Sequence, residues 1–318
     1  MSNPIIFDGI ATAQDKEREL LSLSQDLQSR GFQAKIAAIL FREDKGSVLY
    51  TGLKRETAAR LGIQYEVFDF SLADDPTAAV AQINLLNADD SVTGIIVQKP
   101  WQQTWVRSQR VTMDITDTHA LAHGFAQWWR QLVTAVAPTK DVDGLTPSTL
   151  EMIKTGNWQA AGRVLPATCQ AVLSIIDAYS NLFLLSNSAE QGSQKVAIIG
   201  RSDLLGTPLF WVLKHRGCDV FLLGKKELKQ GIEEKNFLHG FGTIISATGI
   251  EKLLKAELID EGVCVVDVGE PKGDVDFITV SQKAKFITPV PGGVGPMTVI
   301  SLMANCLQLL QQQSQEKW

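Results

Sequence analysis

The chain has few cysteines and none that cluster: Cys169, Cys218, Cys264 and Cys306 are four in 318 residues, without a C-x-x-C pair. Such scatter gives neither a disulfide framework nor a zinc site, and buried free thiols are expected. An excess of basic charge is also missing, since 30 Lys and Arg face 35 Asp and Glu for a net charge of −5. A nucleic-acid partner is therefore not expected. No run of about 18 apolar residues suggests a membrane span. The opening MSNPIIFDGIATAQDKE has no basic segment leading into an apolar one. A cytoplasmic protein that does not engage a membrane is the expectation. No internal repeat is visible.

What is present is an ordinary globular mixture, 45% apolar and 20% charged, long enough for two domains with sizeable cores. Helical spacing over residues 14–30, 47–61 and 77–87 alternates with strand-like runs at 34–41, 64–68 and 92–98. This is the grammar of an α/β fold. A second unit begins near Thr149: helices around 150–154 and 168–179 lead through a polar loop, 186–193, into a strand at 195–199. Further strands at 219–223, 243–247, 263–268 and 286–290 complete a parallel sheet.

The strand KVAIIG at 195–200 is followed by Arg201, Ser202, Gly206 and a helix at 209–216. A glycine turn between strand and helix suits a pyrophosphate at the helix N-terminus. The spacing is G-x5-G, so an ordinary tight α/β turn remains the alternative. After the strand 219–223 come Gly224, Lys225 and Lys226, where a NAD-binding domain usually has an acidic residue. Lysines there suit a 2′-phosphate, or form a solvated loop. Thr248 and Gly249 follow the next strand.

The first unit holds the reactive candidates. Tyr50 and Lys54 are four apart on the 47–61 helix and so share a face. A desolvated lysine and a phenol can exchange protons near neutral pH; an exposed helix face is the alternative. Gln98, followed by Lys99, ends a strand where α/β proteins place ligands. The run Asp141-Val142-Asp143-Gly144 is a polar turn that can orient donors on a heterocycle. Near the C-terminus, residues 287–298 read ITPVPGGVGPMT, and three Pro with three Gly dictate a fixed loop.

With these motifs in order, the chain resembles the bifunctional methylenetetrahydrofolate dehydrogenase/cyclohydrolase family over nearly its whole length. YTGLK at 50–54 resembles the family's Y-x-x-x-K, VQKP at 97–100 its VQLP, and KDVDG at 140–144 is its full motif. GRSDLLGTP and TPVPGGVGPMT match as well. The resemblance implies a folate-binding catalytic domain at 1–148 and an NADP-binding Rossmann domain at 149–295. It also implies a C-terminal helix, 296–318, returning to the first domain, and a homodimer acting on a small folate substrate. Lys54 would be the general acid/base, supported by Gln98, with Tyr50 positioning the folate and Asp143 anchoring the pterin. Lys99, Pro291, Gly292 and Gly293 would also line the substrate. Gly200, Arg201, Ser202, Gly206, Lys225, Lys226, Thr248, Gly249, Gly295 and Thr298 would hold NADP. A metal is not expected.

The departures matter. Lys99 stands where the family has Leu, Trp101 follows Pro100, and the family's PCTP reads Pro166-Ala167-Thr168-Cys169. Residues 101–137 form an insertion with Leu121, Phe125, Trp128, Trp129 and Leu132 at helical spacing. It is expected either to narrow access to the folate or to decorate the periphery. His119 and His123 with Asp114 and Asp117 could hold a metal, but no third ligand is dictated and a helical surface face is the plainer reading. Two other functions are weighed: a weakened folate- or nucleotide-binding paralogue whose insertion serves a partner, and another NADP-linked dehydrogenase, which would leave KDVDG unexplained.

Overall fold

The computed structural model describes residues 3–112, 118–183, 195–234 and 237–315, with backbone alone at 110–112, 118–119, 225, 229 and 232–234. The polar loop expected at 186–193, Asp114, Asp117, and the side chains of His119 and Lys225 lie outside the described residues.

In chain order the elements begin with β1 (Ile5–Ile6), α1 (Gly9–Ser29), β2 (Lys35–Phe41), α2 (Lys45–Arg60), β3 (Gln64–Phe70), α3 (Thr77–Ala88) and β4 (Gly94–Val97). Then come α4 (Gln102–Thr112), α5 (Thr118–Ala135), a 3-10 turn Pro138–Lys140, α6 (Pro147–Thr155), α7 (Ala167–Ala178) and α8 (Ser180–Phe183). The remainder is β5 (Lys195–Ile199), α9 (Gly206–His215), β6 (Val220–Leu223), α10 (Lys225–Glu234) and β7 (Phe241–Ser246), followed by β8 (Cys264–Asp267), α11 (Phe277–Val280), β9 (Phe286–Ile287) and α12 (Val294–Gln315). Lys225 and Lys226 thus open a helix where the sequence suggested a loop, and the last strand is two residues long instead of the expected five.

Two compact units form. One comprises Glu17–Met152, Trp158–Val164 and Leu302–Trp318; the other Met1–Lys16, Ile153–Asn157 and Leu165–Ser301. Residues 3–16 therefore fold with the second unit, although the sequence assigned them to the first. The cause is β1, which adds beside β9, with Ile5 N donating to Lys285 O and Phe7 N to Ile287 O, both at 2.9 Å. Phe7, 1% exposed, packs its ring against Phe286 and Tyr179. A two-residue strand leaves no periodic signal to read.

The first unit has a three-stranded parallel sheet, β3-β2-β4. Its centre is β2, KIAAILF, whose last six residues are buried, the continuous apolar run of a strand covered on both faces. The second unit has a six-stranded parallel sheet, β1-β9-β8-β7-β5-β6, so the α/β expectation holds throughout. All four cysteines are buried and free. Burial pushes the Cys306 thiol up to about 12 and the Cys264 thiol up to about 11, which keeps both unreactive near neutral pH. Helix α12 has the length and hydropathy of a membrane span, but 67% of that window is buried inside the protein, as in a core helix.

The described residues of the insertion are mostly helical, in α4 and α5, and contribute to the core of the first unit. Leu121, Phe125, Trp128, Trp129 and Leu132 of α5 are all buried. Trp128 packs on Phe41 at the end of β2, with centroids 4.8 Å apart, and on Trp105 and Phe125 at 6.1 and 5.9 Å. Removal of so large a buried ring leaves a cavity that the sheet cannot collapse to fill. Trp128→Ala is expected to destabilise the fold by about 3–5 kcal/mol in urea unfolding. Trp101→Ala, at a residue 42% exposed, is expected to cost less than about 1 kcal/mol.

Candidate active site

Helix α2 begins at Asp44, whose carboxylate accepts from Ser47 N at 3.0 Å and Ser47 Oγ at 2.6 Å, so an N-terminal orphan amide is satisfied. The second oxygen of Asp44 accepts from Thr104 Oγ1 at 2.8 Å, tying the insertion to the start of α2. Ser47, Thr51, Lys54, Thr57 and Ala58 are buried. Lys54 is thus turned inward, 8% exposed, and Tyr50 is half-buried one turn before it. Burial pulls the Lys54 ammonium below the usual lysine range, and the Asp143 carboxylate partly opposes that shift.

The partner of Lys54 is set by the strand end. Gln98 N donates to Ile39 O at 2.9 Å, continuing the ladder past β4, and Gln98 Oε1 accepts from Lys54 Nζ at 2.7 Å. A neutral acceptor holds the amine in place without adding a full charge to raise its pKa. The third group stands in the KDVDG loop, which is braced from every side. Lys140 Nζ donates to Leu86 O and Asp89 O at 3.0 and 2.6 Å, and Asp141 accepts from Leu145 N and Thr146 N at 3.0 and 2.8 Å. Val142 O accepts from Asn305 Nδ2 at 3.0 Å. Val142 packs so close over Gly94 that a Cβ there would lie 2.6 Å from its own Cβ. Lys140, Asp141 and Val142 are therefore scaffold, and Asp143 is the member whose charge acts on Lys54.

Sequence reasoning missed Tyr65 of β3. Its hydroxyl is buried without a hydrogen-bond partner, and burial first, then the Asp143 charge, raise it above the ordinary tyrosine value. Only an isolated polar group in a strand hinted at it. Lys99, expected beside the substrate, is half-buried, and its ammonium lies over the rings of Trp129 and Phe125, 5.0 and 5.9 Å from their centroids.

In the second unit, β5 ends at Ile199, Gly200 follows it, and α9 starts at Gly206. A Cβ on Gly206 would stand 1.8 Å from Gly200 O, so only glycine lets this helix N-terminus close on the strand. That cradle fits a dinucleotide pyrophosphate. Arg201 crosses to the end of β6, where a Cβ on Gly224 would lie 2.9 Å from its Nε. There Glu227 holds it: Arg201 Nη2 donates to Glu227 Oε1 at 2.7 Å, and the other oxygen accepts from Gly224 N at 2.9 Å. The sequence overlooked Glu227 because its carboxylate folds back one helical turn to the expected position of an acidic group. Ser202 O accepts from Thr207 N at 3.1 Å. Lys226 is exposed. Thr248 N donates to Asp274 Oδ2 at 2.5 Å and Gly249 follows at φ 69°. Pro291, Gly292 and Gly293 form the loop before α12, fastened by Gly9 N donating to Gly292 O at 3.0 Å. Gly295 and Thr298 occupy the opening turns of α12, where Thr298 Oγ1 donates to Val294 O at 3.2 Å. No cluster of three or more His, Cys, Asp or Glu with metal-binding geometry occurs among the described residues.

A buried lysine with a neutral acceptor and a carboxylate, together with a sheet whose glycine turn admits a dinucleotide, defines a two-domain α/β oxidoreductase with an acid/base site of its own. Comparison with known proteins makes this particular. Residues 7–119 match the catalytic domain of tetrahydrofolate dehydrogenase/cyclohydrolase, and residues 166–314 its NAD(P)-binding domain. The chain is 31% identical to bifunctional protein FolD 2 of Lactobacillus johnsonii over 97% of this chain and 98% of that one. It is 32% identical to bifunctional protein FolD of Methanosarcina acetivorans over 95% and 94%. The crystal structure of the bifunctional FolD methylenetetrahydrofolate dehydrogenase/cyclohydrolase from Campylobacter jejuni superposes with a TM-score of 0.78 at 30% identity, covering 96% of this chain and 98% of that one. The chain belongs to the tetrahydrofolate dehydrogenase/cyclohydrolase family.

Because the folded pKa of Lys54 is lowered, the unfolded chain binds the extra proton between the two pKa values, and stability rises with pH across that window. The cost of burying the charge is full below the folded pKa and vanishes above the usual lysine pKa. Lys54→Met is therefore expected to raise the urea midpoint at pH 7, by an amount that shrinks as pH approaches about 10.5.

Proposed function

We propose that the chain oxidises 5,10-methylenetetrahydrofolate with NADP to 5,10-methenyltetrahydrofolate and then hydrolyses that product to 10-formyltetrahydrofolate. The observation that carries this reading is the buried Lys54–Gln98 pair beside Asp143. Bound NADP supplies a nicotinamide that accepts a hydride from the one-carbon bridge. The residues of this chain bind and orient the folate for that transfer, with Tyr50 against the aminobenzoyl ring and Asp143 on the pterin. Hydride transfer needs no strong base, whereas hydrolysis does need proton movement. Water adds to the methenyl carbon and loses a proton to neutral Lys54. The ammonium so formed returns a proton to N5 as the C–N5 bond breaks, with net release of one proton. A lysine of ordinary pKa would be almost wholly protonated at neutral pH and unable to begin that cycle.

For the cofactor, Gly200, Ser202 and Gly206 shape the pyrophosphate turn, and Thr248, Gly249, Gly295 and Thr298 complete the proposed site. Arg201, with Lys225 and Lys226, favours the 2′-phosphate of NADP over the bare ribose of NAD. We propose further that the chain works as a homodimer in the cytoplasm, a reading supported by family membership.

Lys54→Met is expected to lower hydrolysis of methenyltetrahydrofolate by about a hundredfold or more, followed as loss of its absorbance, while NADP still binds by fluorescence titration. Unchanged hydrolysis would contradict the role given to Lys54. Glu227 is the counter-ion of Arg201, so the phosphate must compete with it. Glu227→Gln keeps an acceptor for Gly224 N while removing that charge, and is expected to lower the KM for NADP by about threefold with little change for NAD.

A further inference from the structure

We propose that Thr51 is a second hydrogen-bond partner of the Lys54 side chain, its hydroxyl oxygen accepting from Nζ when the amine becomes an ammonium during hydrolysis. This deepens the functional reading above and rests on it. Thr51 touches no reacting atom and acts through Lys54, so it is a positioning residue. Ser47, Thr51, Lys54 and Ala58 stand at i, i+4, i+7 and i+11 on α2 and are all buried, which makes them one inward stripe. Thr51 is 4% exposed, and its hydroxyl oxygen has no hydrogen-bond partner. Other hydroxyls of the same helix are met: Ser47 Oγ donates to Asp44 Oδ2 at 2.6 Å, and Thr57 Oγ1 donates to Leu53 O, one turn back, at 3.0 Å. Thr51 makes no such bond to the Ser47 carbonyl. Strand β2, on which α2 packs, offers it no side-chain partner either, because residues 36–41 are all apolar and buried. A hydroxyl taken from water and left unmet is a cost to the fold, which a valine of the same shape would not incur.

Lys54 follows three residues later, a spacing that puts two Cβ atoms about 5–6 Å apart on one helix face. Long side chains on a helix lean toward its N-terminus, so the Lys54 stem runs back over the turn that carries Thr51. At rest its Nζ donates to Gln98 Oε1 at 2.7 Å. An ammonium, however, carries three N–H donors and no lone pair, and each donor left unmet away from water is unfavourable. Once the attacking water has passed its proton to Nζ, Gln98 accepts from one N–H, a second is directed to N5 of the substrate, and Thr51 Oγ1 accepts from the third. Thr51 itself neither gains nor loses a proton in this step. The charge acting on Lys54 is that of Asp143. A neutral hydroxyl beside it steadies the ammonium without binding the proton as tightly as a second carboxylate would, so the proton can still be returned.

The test combines an NMR titration of the Lys54 side chain with hydrolysis kinetics, on the full chain, in wild type, Thr51→Val and Thr51→Ser. Loss of the acceptor disfavours the ammonium, so Thr51→Val is expected to move the Lys54 midpoint to lower pH. The same change is expected to lower kcat for hydrolysis of methenyltetrahydrofolate about tenfold relative to that for hydride transfer. Thr51→Ser keeps the hydroxyl and is expected to restore the wild-type midpoint and most of the rate. In urea, Thr51→Val is expected to unfold at a midpoint no lower than that of wild type, since the hydroxyl it removes is unmet at rest, which separates the loss of rate from any loss of fold. A Lys54 midpoint unchanged in Thr51→Val, or one shifted as far in Thr51→Ser as in Thr51→Val, overturns the proposal and leaves the functional reading intact. Failure of wild type to hydrolyse methenyltetrahydrofolate overturns that reading and, with it, the step given to Thr51.

Discussion

The first unit is organised around a single unfavourable placement, a lysine side chain taken almost entirely out of water. An ammonium buried alone would be driven to its neutral form. Here the Asp143 carboxylate partly opposes the shift through its charge, while the Gln98 oxygen holds the amine in place by accepting a hydrogen bond from Nζ. The result is an amine fixed in place with its pKa drawn below the usual lysine range. Each supporting element exists in a form that keeps these three groups aligned. Gln98 is held by the β2 ladder, Lys54 by the buried face of a capped helix, and Asp143 by a loop braced on α3, α12 and Gly94.

The insertion belongs to this arrangement mechanically. Its rings close over Phe41 at the end of the central strand, and Thr104 meets the Asp44 carboxylate that caps α2. A cover that merely lay on the surface would have neither bond. In the second unit the dinucleotide turn shows a comparable economy of contact. Glu227 serves at once as a cap for α10 and as a tether for Arg201, so helix formation and the placement of the Arg201 guanidinium use one carboxylate.

Much of this could be read from the residues. Apolar runs such as KIAAILF and GIIV announced central parallel strands, and the i,i+4 spacing of Tyr50 and Lys54 announced a shared face. The α5 helix was legible from Leu121, Phe125, Trp128 and Leu132. What escaped was set by tertiary contact. Strand β1 is two residues long and owes its existence to β9. Glu227 reaches its place only because α10 begins at Lys225, a start that lysines do not announce. Within KDVDG, the family resemblance singled out Asp143, but the residues alone did not show that Lys140 and Asp141 brace the loop. The division between Lys140 and Asp141 on one side and Asp143 on the other depends on which carbonyls and amides the folded loop presents. Tyr65 was invisible for the same reason, since its burial beside Asp143 comes from the fold and not from its position along β3.

The central claim is that Lys54 is held with its proton affinity reduced. The direct measurement is an NMR titration of the Lys54 side chain in selectively labelled protein, assigned by its loss in Lys54→Met. The account predicts a midpoint below the usual lysine value of about 10.5. A midpoint at or above that value would contradict it.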